Sequence, residues 1–143
     1  MKVVLDTNVL LVSISRRSFY HPIFEAFELK RYDLLVTTDI MAEYEEVIAE
    51  EMGEDAASAV LDGFHLVPNI AFVTKYFNWR LISADPDDDK FVDCAVAGNA
   101  DFIVSDDRHF RVLAKIPFPK VRVISADDFM EIVSGQRPVK KAP

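Results

Sequence analysis

Eight aspartates crowd the 23 residues from Asp85 to Asp107: Asp85, Asp87, Asp88, Asp89, Asp93, Asp101, Asp106 and Asp107. Lys90 is the only cationic side chain among them, and the density is about twice what an even spread of the chain's 24 acids would give. A further aspartate, Asp6, ends the apolar run Val3-Val4-Leu5. Carboxylates brought together repel one another, and burying them without a counter-charge is costly. A bound divalent cation is the simplest physical resolution, and hard cations such as Mg²⁺ take oxygen ligands.

Whatever positions these acids must fit in 143 residues, 50% of them hydrophobic, which is enough for one domain with its own core. No apolar run approaches the length of a membrane span, and no signal-peptide pattern is present, so a cytoplasmic protein is expected. The single Cys94 allows no internal disulfide, which fits a reducing compartment. A net charge of −8 is the wrong sign for holding nucleic acid by general electrostatics, which argues against a DNA-coating protein. It leaves a metal enzyme open, because bound ions reverse the local sign.

The pattern alternates strands and helices. Lys2 to Leu5 predicts a strand, and His21-Pro22 opens a helix to about Lys30 with Ile23, Phe24, Phe27 and Leu29 as candidate core positions. Leu34 to Val36 predicts a second strand. Thr38 or Asp39 can cap the next helix, whose apolar stripe is Ile40, Tyr44, Val47, Ile48 and Met52. A helix over about 54–64 follows, and 70–82 is ambiguous. A helix over about 88–98, a strand at Phe102 to Val104, a short helix near 109–114 and a strand at Val121 to Ile124 complete the run. Ser125 or Asp127 then starts a last helix to about Val133, leaving 134–143, with Arg137, Lys140 and Lys141, as a loose tail. Short, near-continuous apolar strands between helices predict a three-layer α/β/α fold over 1–133, with a central parallel sheet of four to five strands.

In such a sheet, active groups gather outside the carboxyl ends of the strands. Asp6 and Ser105-Asp106-Asp107 each follow a predicted strand directly. Glu43 lies in the opening turn of the helix after the second strand, beside Ile40 and Val47 on the wheel. Asp93 shares a helix face with Asp89 four residues earlier, a like-charge spacing that costs about 0.2–0.5 kcal/mol and that a cation would reverse.

Four segments together resemble a known family: Val4-Leu5-Asp6-Thr7-Asn8-Val9-Leu10, Glu43-Tyr44-Glu45-Glu46-Val47, Asp85 through Ala95, and Ala100 through Asp107. Their order and spacing are similar to those of PIN domains, above all the small prokaryotic PIN proteins of toxin–antitoxin systems related to VapC-like toxins. The resemblance covers about residues 1–133. It implies a metal-dependent ribonuclease whose four pocket acids carry over to Asp6, Glu43, Asp93 and Asp107, a homodimer, and an antitoxin partner. The family often has Thr-Gly-Asp where this chain has Ser105-Asp106-Asp107, so Asp106 stands as the alternative fourth ligand. Asp89 stands where this branch often has Asn.

On this reading one or two Mg²⁺ or Mn²⁺ ions activate a water for in-line attack on the phosphodiester of single-stranded RNA. Thr7, Asn8, Ser105 and Asp89 would orient ligands and waters. Arg16, Arg17 and Arg108 lie nearest the motifs as cationic contacts to RNA, while Phe19, Tyr20 and Trp79 are candidate stacking residues. Plainer roles compete: Asp87, Asp88 and Asp89 as caps or solvated charges, His109 as structural, Cys94 as packing, and Arg16-Arg17 as a solvated loop. Two rival functions are a haloacid-dehalogenase-like phosphatase, which wants an acid where Asn8 stands, and a non-catalytic binding or scaffold protein.

Overall fold

The computed structural model describes residues 1–135. Its centre is a five-stranded, entirely parallel sheet made of β1 (Lys2–Leu5), β2 (Asp33–Val36), β3 (Ile70–Phe72), β4 (Phe102–Val104) and β5 (Val123–Ile124). The spatial order is β3-β2-β1-β4-β5. β1, β2 and β4 are short because each is an apolar triplet that needs both faces covered; Val3, Val4, Leu5, Leu34, Leu35, Val36, Phe102, Ile103 and Val104 are all buried. Helices supply that cover: α1 (Thr7–Ile14), α2 (His21–Glu28), α3 (Thr38–Met52), α4 (Glu54–Phe64), α5 (Asp89–Ala97) and α6 (Ala126–Val133). The three-layer architecture expected from the sequence is present.

The chain winds outward from β1 through β2 to β3, then returns to the other side of β1 for β4 and β5. Strand order therefore reverses between β1 and β4. Parallel sheets open a crevice at such a switch point, beyond the carboxyl ends of the strands. Asp6 leaves β1 there, and Ser105 leaves β4 beside it, because Leu5 pairs with Val104.

Several local expectations are corrected. The segment Thr7–Ile14, for which no helix was expected, forms α1. Its β-branched residues favour extended structure locally, but Val9, Leu10 and Ser13 gain burial by turning back as a helix. Thr37 caps α3, rather than Thr38 or Asp39: its hydroxyl accepts from the Ile40 amide at 3.4 Å, although Asp39 Oδ1 also accepts from that amide at 3.0 Å. Leu29 and Met52 lie exposed at helix ends, where the stripe has run past the core. The last strand shortens to Val123–Ile124, and the ambiguous stretch is β3 followed by irregular chain. Ser125 caps α6, its hydroxyl accepting from the Asp128 amide at 3.0 Å. Of the expected loose tail, 136–143, with Arg137, Lys140 and Lys141, lie outside the described residues. Cys94 is fully buried, as a packing residue should be.

Candidate active site

At the switch point the strand ends are laced together. The Asp6 amide donates to the Val104 carbonyl at 3.0 Å, and the Ser105 amide donates to that of Ile124 at 3.0 Å. The Ser105 hydroxyl donates to Asp6 Oδ2 at 2.7 Å and accepts from the Asp107 amide at 3.0 Å, so one buried serine holds both acids. Asp6 is buried and does not cap the helix it begins. Burial raises its pKa, and the negative charges of Asp107 and Glu43 add to the rise, against the hydrogen bonds from Ser105 and the Thr7 backbone.

A third acid joins these two. Pro86–Asp88 forms a 3₁₀ turn, set by Asp85 Oδ1 accepting from the Asp87 amide at 3.1 Å. The turn leaves Asp87 outside, with 90% of its side chain exposed, and brings Asp88 inward. Burial pushes the Asp88 carboxyl up to about 6, with further push from Asp85, Asp107 and Asp6 and an opposing pull from His109. Asp88 Oδ2 and His109 Nδ1 are buried and have no hydrogen-bond partner. Asp107 Oδ1 accepts from the His109 amide at 2.9 Å, opening the 3₁₀ segment Arg108–Lys115.

Glu43 reaches the same region from α3. The Thr7 hydroxyl donates to its Oε2, and Lys90 Nζ lies 2.7 Å from its Oε1. The next residue, Tyr44, anchors the helix: its buried hydroxyl donates to the Leu5 carbonyl at 2.6 Å, one residue before Asp6.

Asp93 is the departure among the expected four. Its carboxyl is raised by burial, but the groups acting on it most are the Trp79 amide, Lys75, Asp89 and Asp39, with neither Asp6 nor Asp107 among them. Oδ1 accepts from the Trp79 amide at 3.0 Å, and Oδ2 lies 3.9 Å from Lys75 Nζ. Asp93 sits one helical turn beyond the inward-facing Asp88 region and looks instead onto a cavity of about 740 Å³, whose lining includes Glu43, Lys75, Arg80, Asp89 and Lys90. Asp89 braces that wall by accepting from the Ile82 amide at 2.9 Å. Asp106 accepts from the Ala126 amide at 3.1 Å and lines the same small cleft as Asp6, whereas Asp107 is the one of the pair whose charge raises the Asp6 carboxyl.

The other expected residues divide. Asn8 lines a small cleft with Asp6 and Asp107. Arg16, Arg17 and Arg108 are exposed and line none of the cavities described here. The cations that do line cavities are Lys75, Arg80 and Lys90 on one side, and Arg111, Lys120 and Arg122 beside Asp106 and Asp107 on the other. Tyr20 is held by Asp127 at 2.9 Å, whereas Trp79 stands edge-on between Phe77 and Phe118, at 4.6 and 5.9 Å between ring centroids. Sequence reasoning missed Asp88 and His109 as members of the centre. The available signal was Pro86, which starts a tight turn inside the acidic run.

The donor set and the two unpartnered buried atoms suit a divalent cation, since among the described residues no lysine or arginine pairs with Asp6, Asp88 or Asp107. Comparison with known proteins agrees in class: a PIN domain family model matches residues 2–109. The chain belongs to the PIN domain family, whose members are generally nucleases. Among solved structures it is similar to VapBC2 from Rickettsia felis bound to a DNA fragment from their promoter. That likeness has a TM-score of 0.60 and 17% identity, and covers 87% of this chain and 98% of the other, which speaks for the fold. No curated protein matches.

Proposed function

We propose that this protein is a metal-dependent endoribonuclease that hydrolyses phosphodiester bonds of single-stranded RNA, and that it is the toxin component of a toxin–antitoxin pair. The observation that carries the reading is the convergence of Asp6, Asp88 and Asp107 at the carboxyl ends of β1 and β4, where Asp107 raises the ionisation cost of both others and Asp6 that of Asp88. Mg²⁺ or Mn²⁺ would be held by these three, with Glu43 joining directly or through a water. When bound, a divalent cation supplies charge to a phosphodiester oxygen and makes water acidic enough to attack phosphorus.

The chain's own residues do the rest. Ser105 fixes Asp6 Oδ2 and so sets the direction in which the other oxygen points. Thr7 and Lys90 hold Glu43 against rotation. Lys75, Arg80, Arg111, Lys120 and Arg122 are placed along the flanking cavities to take backbone phosphates, and Trp79 with Phe77 and Phe118 to take bases. Asp93 serves as a wall residue that positions Trp79 and Lys75, in place of the ligand role first expected of it. With a net charge of −8, the surface favours a basic antitoxin segment inserted at the acidic pocket, and the fold likeness to VapBC2 supports a partner of that kind. A homodimer working in the cytoplasm belongs to the same proposal; among the described residues no helix is long and apolar enough to cross a membrane.

The test is incubation with labelled single-stranded RNA and Mg²⁺ or Mn²⁺, beside EDTA, Asp6→Asn, Asp88→Asn and Asp93→Asn. Cleavage should vanish in EDTA and fall at least about 100-fold in the first two variants, with Asp93→Asn losing less. Equal cleavage in EDTA, or in Asp6→Asn, overturns the reading.

A further inference from the structure

The nuclease reading uses Asp88 and leaves its nearest unpartnered neighbour, the His109 imidazole, without a task. His109 Nδ1 lies 3.5 Å from Asp107 Oδ1, 3.6 Å from Asp88 Oδ2 and 3.9 Å from Asp85 Oδ2. These separations are too long for hydrogen bonds, and neither the Nδ1 atom nor Asp88 Oδ2 finds another partner although both are buried. Asp88 as a whole keeps only 9% of its exposure. One ligand atom from each of Asp85, Asp88 and His109 lies within 4.8 Å of the others. Donors on a single ion with bonds of about 2.1 Å stand roughly 3.0 Å apart when adjacent and 4.2 Å when opposite. The His109 spacings to Asp88 and Asp85, 3.6 and 3.9 Å, fall inside that interval, so a cation could enter between the imidazole and these two carboxylates with small side-chain movements.

We propose that Asp85, Asp88 and His109 form a mixed nitrogen–oxygen site for a transition-metal cation, sharing Asp88 with the Asp6–Asp107 centre. The proposal rests on the nuclease reading only for the role of that shared acid. Imidazole binds Mn²⁺, Co²⁺ or Zn²⁺ better than it binds Mg²⁺, which dehydrates reluctantly and prefers oxygen. The site therefore gives the protein a preference that four carboxylates alone would not give. Its ligands come from both sides of the crevice: Asp85 and Asp88 from the turn before α5, and His109 from the segment after β4. Occupation would bind those two segments to each other.

Zn²⁺ titration of the full chain, followed by ¹⁵N NMR of the histidine side chains, reads the site directly. The His109 Nδ1 resonance should shift on saturation. His21, whose Nδ1 contacts the Ser13 carbonyl at 2.9 Å, and His65, stacked on Phe72, serve as internal controls. Calorimetry should show His109→Ala and the partly exposed Asp85→Asn each weakening Mn²⁺ at least about tenfold, while Mg²⁺ changes several-fold less. An unshifted Nδ1, or equal losses of Mg²⁺ and Mn²⁺ in both variants, overturns the proposal. Nδ1 ligation without any RNA cleavage would leave this site standing and sink the nuclease reading. Mg²⁺-dependent cleavage with no Nδ1 shift would do the reverse.

Discussion

Asp88 shows how one side chain can trade stability for a binding site. Its folded-state pKa of about 6 stands well above the usual carboxylate value near 4, chiefly because it is buried among other acids. Between those two values the folded protein keeps a proton that the unfolded chain has lost. The contribution to stability is therefore fully present below about pH 4 and disappears as pH rises through about 6. Asp6 is shifted in the same direction. Metal-free protein should melt higher at pH 5 than at pH 7, and Asp88→Asn should flatten that slope. At pH 7 Asp88→Asn should also stabilise the metal-free protein by about 1–2 kcal/mol, a figure discounted for the solvent that still reaches the cluster. Adding Mn²⁺ should raise the melting temperature of the parent protein and leave Asp88→Asn nearly unmoved. Thermal melts at the two pH values, with and without the ion, check all three; a pH-independent melt would contradict the charge arrangement described here.

Elements place these side chains, and their lengths and ends matter more than their interiors. α3 brings Glu43 to Thr7 because Tyr44 is pinned to the Leu5 carbonyl. α5 can lie against the sheet because it ends in Gly98. A Cβ there would meet Leu35 Cδ1 at 2.7 Å and Val73 Cγ2 at 3.0 Å. Gly98→Ala should accordingly cost about 1–3 kcal/mol, read as a lower urea midpoint at unchanged slope. It should also weaken Mn²⁺ binding, since Asp88 and Lys90 sit at the far end of the same helix. A variant as stable as the parent would show that α5 does not approach the sheet so closely. Element boundaries were also where sequence reasoning was least complete. The β-branched run Thr7–Ile14 reads locally as extended chain, yet it becomes α1 because a parallel sheet must send the chain across a face before the next strand.

At the scale of the whole molecule, a net charge of −8 opposes RNA, and the cations lining the crevice offset it only locally. Binding of a labelled, cleavage-resistant single-stranded RNA to the parent protein should be weak in EDTA and tighten at least about tenfold with Mn²⁺; added KCl should loosen it again. Equal affinity in EDTA and in Mn²⁺ would count against an ion-bridged complex, as seen by fluorescence anisotropy. Much of the architecture was legible beforehand: apolar triplets separated by amphipathic helices allow few arrangements other than a covered parallel sheet, and an acid directly after such a triplet must emerge at its carboxyl edge. Asp6 could be placed at that edge on this ground alone, while Asp106 and Asp107, both just after the triplet at Val104, could not be told apart. Nor could the middle of the site be assigned. Asp87, Asp88, Asp89 and Asp93 have the same chemistry and nearly the same position, and their inward or outward direction is set by a single 3₁₀ turn that periodicity does not register. Folding turned Asp88 inward, sent Asp93 to Trp79 and Lys75, and set His109 opposite Asp88, because that choice depends on which surfaces meet across the crevice between β1 and β4 rather than on which residues are neighbours along the chain.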